Sequence, residues 1–164
     1  MAELMQRAAS LSDLKEIWGL MRQAAPEIPF DLESETAQES MLTEIMACCT
    51  SDFSSVAVGE DKAIVGVVLA RRDDFEWGFR NGKALHMSYA AIAPSHRDRG
   101  LLPALVAKIQ ERKVPVFASV REGNKLGLAD ELQKLGFASE CTAANGWGEL
   151  YKWQPPTNGA APAR

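Results

Sequence analysis

A strand, a tight turn and a helix start follow one another at residues 92–105, and this order constrains the chain more than any other feature. The stretch reads IAPSHRDRGLLPAL. Backbone N–H groups at a helix start have no acceptor within the helix, and the helix dipole is positive there, so such a turn favours phosphate. Arg97 and Arg99 add charge that a diphosphate can use. The stretch therefore predicts a site for a nucleotide-like cofactor that carries a pyrophosphate.

Length and composition indicate one globular domain. The chain has 164 residues, of which 46% are apolar and 24% charged. These values are typical of a soluble protein with a substantial core. The net charge of −4 argues against a general nucleic-acid surface, although a local basic site is compatible with it.

Cysteine usage and hydropathy favour a cytoplasmic protein. Cys48 and Cys49 are adjacent and Cys141 is distant, so the three cysteines have no metal-ligand spacing and form no disulfide framework. Residues 1–25 lack the continuous apolar core of a signal peptide. No run approaches the ~20 apolar residues of a membrane helix. We therefore expect free thiols, no bound metal and no membrane partner.

Hydrophobic periodicity predicts a mixed α/β order of elements, with one domain at residues 1–153 and a flexible tail at 154–164. A first helix is capped at residues 10–13 and ends at Pro26. The polar, aromatic loop at 73–80 either shapes a substrate site or lies in solvent with its aromatic residues on the core. Strands are predicted at 4–9, 54–58, 63–70, 84–93, 114–120, 138–142 and 149–153, and further helices at 34–49, 100–113 and 127–135.

Two motifs, in this order, resemble the GNAT superfamily of N-acetyltransferases over residues 4 to about 153. The first is Ile92-x-Pro94-x-x-Arg97-x-Arg99-Gly100 followed by Ala104-Leu105, which is similar to the acetyl-CoA turn of that family. The second is the segment 120–124 followed by Leu135-Gly136-Phe137. The resemblance implies an α/β (α+β) fold: a mixed, mostly antiparallel sheet flanked by helices, with a splayed strand pair at the CoA site.

The resemblance also implies acetyl-CoA as cosubstrate and assigns residues to it. The backbone of Ala91 and Ile92 would pair with the pantetheine arm. Asn124 would either bind that arm or cap the following helix. The expected diphosphate contacts are Arg97, Arg99, Gly100, Leu101 and Leu102.

His86 and Ser88 are the predicted catalytic residues. Some family members carry a catalytic glutamate six residues before the position of Ile92, and His86 stands there. An imidazole titrates near ~6.5 and suits a base at neutral pH. Strand alternation predicts that His86, Ser88 and Ala90 share a face, where Ser88 would hold a water. The alternative for His86 is a purely structural hydrogen bond in the sheet.

Three positions depart from the family pattern. Leu102 stands where the family has a small residue and would crowd a pyrophosphate. Pro103 has no N–H and removes one donor. The tyrosine that many members use as general acid is replaced by Leu132, or by Glu131 if the alignment starts from Asn124. These departures imply altered or weaker CoA binding.

The sequence therefore predicts an N-acetyltransferase that moves an acetyl group from acetyl-CoA to a primary amine, most simply of a small molecule, by direct attack. Two alternatives remain open. One is a non-catalytic module that binds acyl-CoA or regulates, which the departures favour. The other is an acetyltransferase of protein N-termini or lysines. A homodimer is an expectation from the resemblance alone.

Overall fold

A computed structural model of the chain describes residues 4–26, 33–72, 84–121, 124, 127–143 and 148–156. Seven strands and four α-helices of these residues occur in the predicted order. The strands are β1 (Met5–Ala8), β2 (Ser55–Val58), β3 (Ile64–Arg72), β4 (Leu85–Ile92), β5 (Val116–Val120), β6 (Ala138–Ala143) and β7 (Gly148–Trp153). The helices are α1 (Leu14–Ala24), α2 (Glu35–Thr50), α3 (Leu101–Gln110) and α4 (Leu128–Lys134).

Local sequence signals set the helix ends. The side chain of Ser34 accepts a hydrogen bond from the N–H of Ala37 at 3.0 Å and caps α2. Asp13 closes a capping box with Ser10 before α1. Gly136 follows α4 with φ of 95°, a left-handed conformation that glycine adopts without strain.

The seven strands of the described residues form one mixed sheet, with strand order β1-β2-β3-β4-β5-β7-β6. Neighbouring strands are antiparallel except β4 and β5, which are parallel. That parallel pairing joins only residues 85–87 to residues 116–118, although both strands continue beyond it. The mostly antiparallel sheet and the splayed strand pair are therefore confirmed.

Helices cover both faces of the sheet. α1 and α2 pack on each other and on β3, whereas α3 packs on β2, β3 and β4 and contacts α4. The residues of β3 show that these layers lie on opposite faces. Arg71 bonds to α2, and Gly66, an odd number of residues away, lies against Leu105 of α3. As predicted, β3 is buried on both faces from Ile64 to Ala70.

Two sequence predictions fall outside the described residues: the loop at 73–80 and most of the tail, residues 157–164. Within the part of the chain that is described, no helix is long and apolar enough to cross a membrane.

Candidate active site

Strands β4 and β5 part at Ser88. On β3, Leu69 pairs with Tyr89 and Ala70 pairs with Met87, so Ser88 is an extra residue on β4. Such a β-bulge bends its strand and increases the twist. The pairing of β4 with β5 ends at Met87, directly before the bulge. The bulge thus accounts for the gap between the two strands.

The face of Ala90 differs from the sequence prediction. Gly66 pairs with Ile92, and a Cβ on Gly66 would lie 3.1 Å from Ile92 Cδ1 and 3.2 Å from Leu105 Cδ1. Ile92 therefore points to α3, and by alternation Ala90 does too. The prediction that Ala90 shares a face with His86 and Ser88 is wrong, because the bulge shifts the alternation by one residue.

Ser88 and Tyr89, although consecutive, both face α2. Ser88 Oγ donates to Glu44 Oε2 of α2 at 2.6 Å. His86 pairs across the sheet with Arg71, whose Nε donates to the same Glu44 oxygen at 2.7 Å. Tyr89 precedes Ala90 in regular alternation and so points to the α2 face as well. The bulge therefore concentrates polar side chains beneath α2.

These side chains line a cavity of about 360 Å³ that reaches the gap between β4 and β5. It lies between α2, the C-terminal end of β3, the bulge of β4 and the segment that follows β5. The lining residues are Ala37, Ser40, Met41, Glu44, Arg71, His86, Ser88, Tyr89, Ala90, Ser119, Arg121, Asn124 and Leu128.

Glu44 is the centre of the hydrogen bonds in this cavity. Its Oε2 accepts from Arg71 Nε, from Ser88 Oγ and, at 3.4 Å, from Cys48 Sγ. Burial raises the pKa of Glu44, but the hydrogen bonds from Arg71 and Ser88 outweigh it, so this pKa lies below its ordinary value. Glu44 is therefore ionised at neutral pH and is a weak base.

Cys48 is not a nucleophile in this arrangement. Burial raises the pKa of its thiol far above the ordinary value, and the neighbouring Glu44 carboxylate adds to the shift. Only the thiolate is reactive, so Cys48 remains an inert thiol that hydrogen-bonds to the carboxylate.

His86 lies at the strand edge that faces β5. Its Nε2 is 3.4 Å from Ser119 Oγ, so the two side chains bridge β4 and β5 at the floor of the cavity. The imidazole is partly exposed. The structure thus brings both predicted catalytic residues, His86 and Ser88, into one cavity. It also adds Glu44 and Arg71 to them.

Neither candidate for the position of the family tyrosine lines the cavity. Leu132 is fully buried in the core, and Glu131 lies 3.5 Å from Lys134 in an ion pair. Tyr89 lines the cavity instead, on the neighbouring strand. Burial raises the pKa of the Tyr89 phenol above its ordinary value, so it is protonated at neutral pH.

The turn after β4 exposes the start of α3. A short 3₁₀ turn at Pro94–His96 is followed by Asp98 with φ of 60° and Gly100 with φ of 71°. Gly100 is the N-cap of α3, so helix geometry leaves the N–H groups of Leu101 and Leu102 without an intrahelical acceptor. These donors fit an anion such as a diphosphate.

The side chain of Leu102 does not obstruct this helix start. It is 6% exposed and belongs to the core cluster, because this position of α3 faces the sheet. The expected crowding by the leucine side chain is therefore wrong. Pro103 occupies the first turn of α3 and supplies no N–H there.

Both arginines of the turn have protein partners. Arg97 donates to the carbonyl of Ile92 at 3.0 and 3.2 Å, which fastens the turn to the end of β4. Arg99 bonds to Glu60 in the β2–β3 turn at 3.2 Å. His96 Nε2 is 3.5 Å from the other oxygen of Glu60. The protein itself therefore holds both guanidinium groups of the turn, Arg97 on a backbone carbonyl and Arg99 on the Glu60 carboxylate.

Ala91, Ile92 and Asn124 lie along the gap. Ala91 and Ile92 pair with β3 on one side, and the residues that pair with β5 on the other side are only 85–87. Asn124 lines the cavity, and its N–H donates to Arg121 O at 3.2 Å. The N-cap of α4 is Gly127, so the alternative role of Asn124 as the cap of this helix is wrong.

Sequence reasoning missed Glu44, although a signal was present. The buried positions of α2 include Met41, Ile45 and Cys48, which follow the i, i+4, i+7 spacing of one helix face. Glu44 falls within that stripe at i+3. A carboxylate inside an apolar stripe needs a buried partner.

No metal site is evident in the described ranges, where no group of three or more His, Cys, Asp or Glu side chains could hold an ion.

Solved acetyltransferases share this fold. No protein-family model matches the chain, and no curated protein sequence matches it. The diaminobutyrate acetyltransferase of Paenibacillus lautus, solved with L-2,4-diaminobutyric acid and coenzyme A, is 21% identical, with a TM-score of 0.69 over 98% of this chain and 100% of that one. The GNAT superfamily phosphinothricin acetyltransferase of Sinorhizobium meliloti, solved with acetyl-CoA, is 18% identical, with a TM-score of 0.64 over 98% and 97%.

An arylalkylamine N-acetyltransferase from Aedes aegypti is 12% identical, with a TM-score of 0.71 over 92% of this chain and 98% of that one. At sequence identities this low, the structural similarity establishes the fold alone. The chain has the fold of the GNAT superfamily, and the resemblance found in its sequence is confirmed at that level.

Proposed function

We propose that this protein is an N-acetyltransferase that transfers an acetyl group from acetyl-CoA to the primary amine of a small molecule. One observation carries the proposal: the exposed start of α3 and the cavity beside the bulge lie at the two ends of residues 88–92. A ligand extended along this part of β4 would reach both. That arrangement suits a cosubstrate with a diphosphate at one end and a reactive thioester at the other.

The residues of the turn would hold the diphosphate, and β4 would hold the arm that follows it. Free N–H groups at a helix start bind phosphate oxygens, and guanidinium groups add charge-assisted hydrogen bonds. Of the predicted pair Ala91 and Ile92, Ile92 would offer its N–H towards the gap, since the N–H of Ala93 donates to β3 and strand residues alternate, and Asn124 would offer an amide from the far side. The proposed diphosphate contacts are Arg97, Arg99, Gly100, Leu101 and Leu102.

His86 is the proposed base and Ser88 a positioning residue. Acetyl-CoA supplies an activated acetyl thioester. His86 takes a proton from the ammonium form of the acceptor, directly or through a water, so that the nitrogen lone pair is free. The amine nitrogen then bonds to the acetyl carbon, the carbon–sulfur bond breaks, and the leaving thiolate takes up the second proton that the nitrogen releases as the amide forms. Ser88 fixes the orientation of Glu44 beside this reaction.

The experiment is a transfer assay with acetyl-CoA and a panel of amino acids, diamines, arylalkylamines and short peptides with free N-termini. Release of free thiol is followed in time, and the acetylated product is identified by mass spectrometry. The proposal expects thiol release that depends on at least one small amine. Release only with peptides would favour a protein acceptor instead.

A second candidate is an acyl-CoA-binding module without catalysis. Two observations favour it: Leu132 is buried where the family tyrosine would stand, and Pro103 removes a donor from the helix start. Saturable acetyl-CoA binding without transfer to any acceptor would support this candidate. Absence of acetyl-CoA binding would contradict both.

We propose a cytoplasmic homodimer whose residues 1–153 form the acetyltransferase domain, with residues 154–164 as a tail, and with no nucleic-acid or membrane partner. Light scattering of the purified chain measures its mass in solution and checks the dimer.

A further inference from the structure

The two oxygens of the Glu44 carboxylate have different surroundings. Arg71 Nε, Ser88 Oγ and Cys48 Sγ all donate to Oε2. Within the described residues, no hydrogen bond to Oε1 is present. Glu44 also lines the cavity, and its side chain is 24% exposed. Oε2 is therefore held by the protein, whereas Oε1 accepts no hydrogen bond from these residues, and the side chain to which both belong lines the cavity.

The elements around Glu44 hold its carboxylate firmly and keep it charged. Arg71 reaches it from β3, Ser88 from the bulge of β4, and Cys48 from the next turn of α2. Three donors on one oxygen fix the rotation of the carboxylate as well as its position. A half-buried ionised oxygen that lacks a donor is costly, and a cationic ligand with N–H groups removes that cost.

We propose that Glu44 Oε1 binds the ammonium group of the acceptor substrate and makes Glu44 the specificity residue for primary amines. The proposal rests on the proposed function, because it places the acceptor in that cavity. Glu44 retains its charge throughout and takes no proton. Proton removal belongs to His86, which is linked to Glu44 through their common neighbour Arg71.

The geometry also predicts the kind of acceptor. An oxygen that lacks a donor selects a ligand that carries N–H groups as well as positive charge. A primary ammonium meets both conditions, whereas a quaternary ammonium has charge but no donor and an alcohol has a donor but no charge. The ranking among the three therefore reports on Oε1 itself rather than on the general potential of the cavity.

The test measures binding without catalysis, with n-butylammonium as the probe. ¹⁵N-labelled protein is titrated with n-butylammonium, tetramethylammonium and 1-butanol, and amide shifts of residues 40–48 and 86–90 are followed. We expect saturable shifts in these segments with n-butylammonium and much weaker ones with the other two. The E44Q variant should lose about tenfold in affinity, the lower end for a hydrogen bond to a charged group.

A control variant separates this role from a general change of charge on α2. E39Q changes an exposed glutamate of the same helix and should bind n-butylammonium like the wild type. If E44Q unfolds, the order of affinities of the three probes for the wild-type protein still tests the proposed ammonium site.

Three results would overturn the proposal: equal affinity of E44Q and wild type, equal binding of 1-butanol and n-butylammonium, or no saturable shift in these segments at tens of millimolar probe. Acetyl-CoA titrations of the same proteins separate the two levels of the account. If n-butylammonium binds at Glu44 but acetyl-CoA does not bind, the proposed function fails and the ammonium site stands. If acetyl-CoA binds but E44Q binds n-butylammonium as tightly as the wild type does, the proposed function stands and the ammonium site fails.

Discussion

Replacement of Pro103 by alanine should strengthen acetyl-CoA binding. Helix α3 begins at Leu101, so residue 103 is the third position of its first turn. At that position a residue other than proline contributes an N–H that has no acceptor within the helix. The P103A variant therefore adds a third donor beside those of Leu101 and Leu102, at the end of the helix where anions bind.

The size of the effect follows from one charge-assisted hydrogen bond. Such bonds contribute roughly 1.5–3 kcal/mol, and the lower value applies because the helix start of α3 is open to water. About 1.5 kcal/mol corresponds to a roughly tenfold lower Kd for acetyl-CoA. The loss of proline makes the unfolded chain more flexible and lowers the free energy of unfolding by about 0.4–1 kcal/mol. P103A should thus bind acetyl-CoA more tightly while it melts earlier.

Titration calorimetry of wild type and P103A with acetyl-CoA measures the change. P115A is the matched control, because Pro115 lies between the end of α3 and the start of β5, away from the helix start at Leu101, and its carbonyl bond to Leu85 N–H survives in alanine. P115A should leave the Kd within about twofold, since it adds no donor near the ligand. An unchanged or higher Kd for P103A would refute the role given to the start of α3.

Three further predictions concern catalysis and stability. H86Q should lower kcat by about 100-fold or more with little change in acetyl-CoA affinity, and an unchanged kcat would exclude His86 as the base. Hydrogen bonds from Arg7 at 2.7 and 2.9 Å hold the pKa of Asp13 below its ordinary value. Asp13 therefore stabilises the fold above about pH 4, and this contribution is lost as pH falls through the lower folded pKa. Denaturant unfolding should show that the free energy of unfolding of D13N is about 2 kcal/mol lower than that of the wild type at neutral pH. This difference should shrink in acid, and a difference that stays constant with pH would contradict the reasoning. G148A should lower the melting temperature and reduce the free energy of unfolding by more than about 2 kcal/mol, because φ of Gly148 is 103° and the new Cβ would overlap Val120 O. A melting curve like that of the wild type would refute this prediction.

Most of the fold was predictable because its signals are local. The apolar run of β3 indicated burial on both faces, and the helix predicted at 34–49 coincides closely with α2. The order of strands and helices agreed with the resemblance to the GNAT superfamily. The predicted contacts of Arg97 and Arg99 stay predictions, since in this structure each bonds to another part of the protein.

The arrangement of the cavity was less predictable, for physical reasons. Alternation assigns faces only while a strand pairs regularly, and nothing in the residues around Ser88 marks the bulge that turns Ala90 away. The Glu44–Arg71 bond joins residues 27 positions apart on different elements. Its trace in the sequence is a charge within the apolar stripe of α2, which shows that a partner is needed but not which residue provides it.

The turn at residues 97–102 and the gap beside β4 are the proposed site of acetyl-CoA. Titration calorimetry of the wild-type protein with acetyl-CoA, repeated at low and high salt, measures this binding. We expect saturable binding to one site per chain, weakened by salt because the diphosphate is held by charge. No saturable heat at millimolar acetyl-CoA would contradict it.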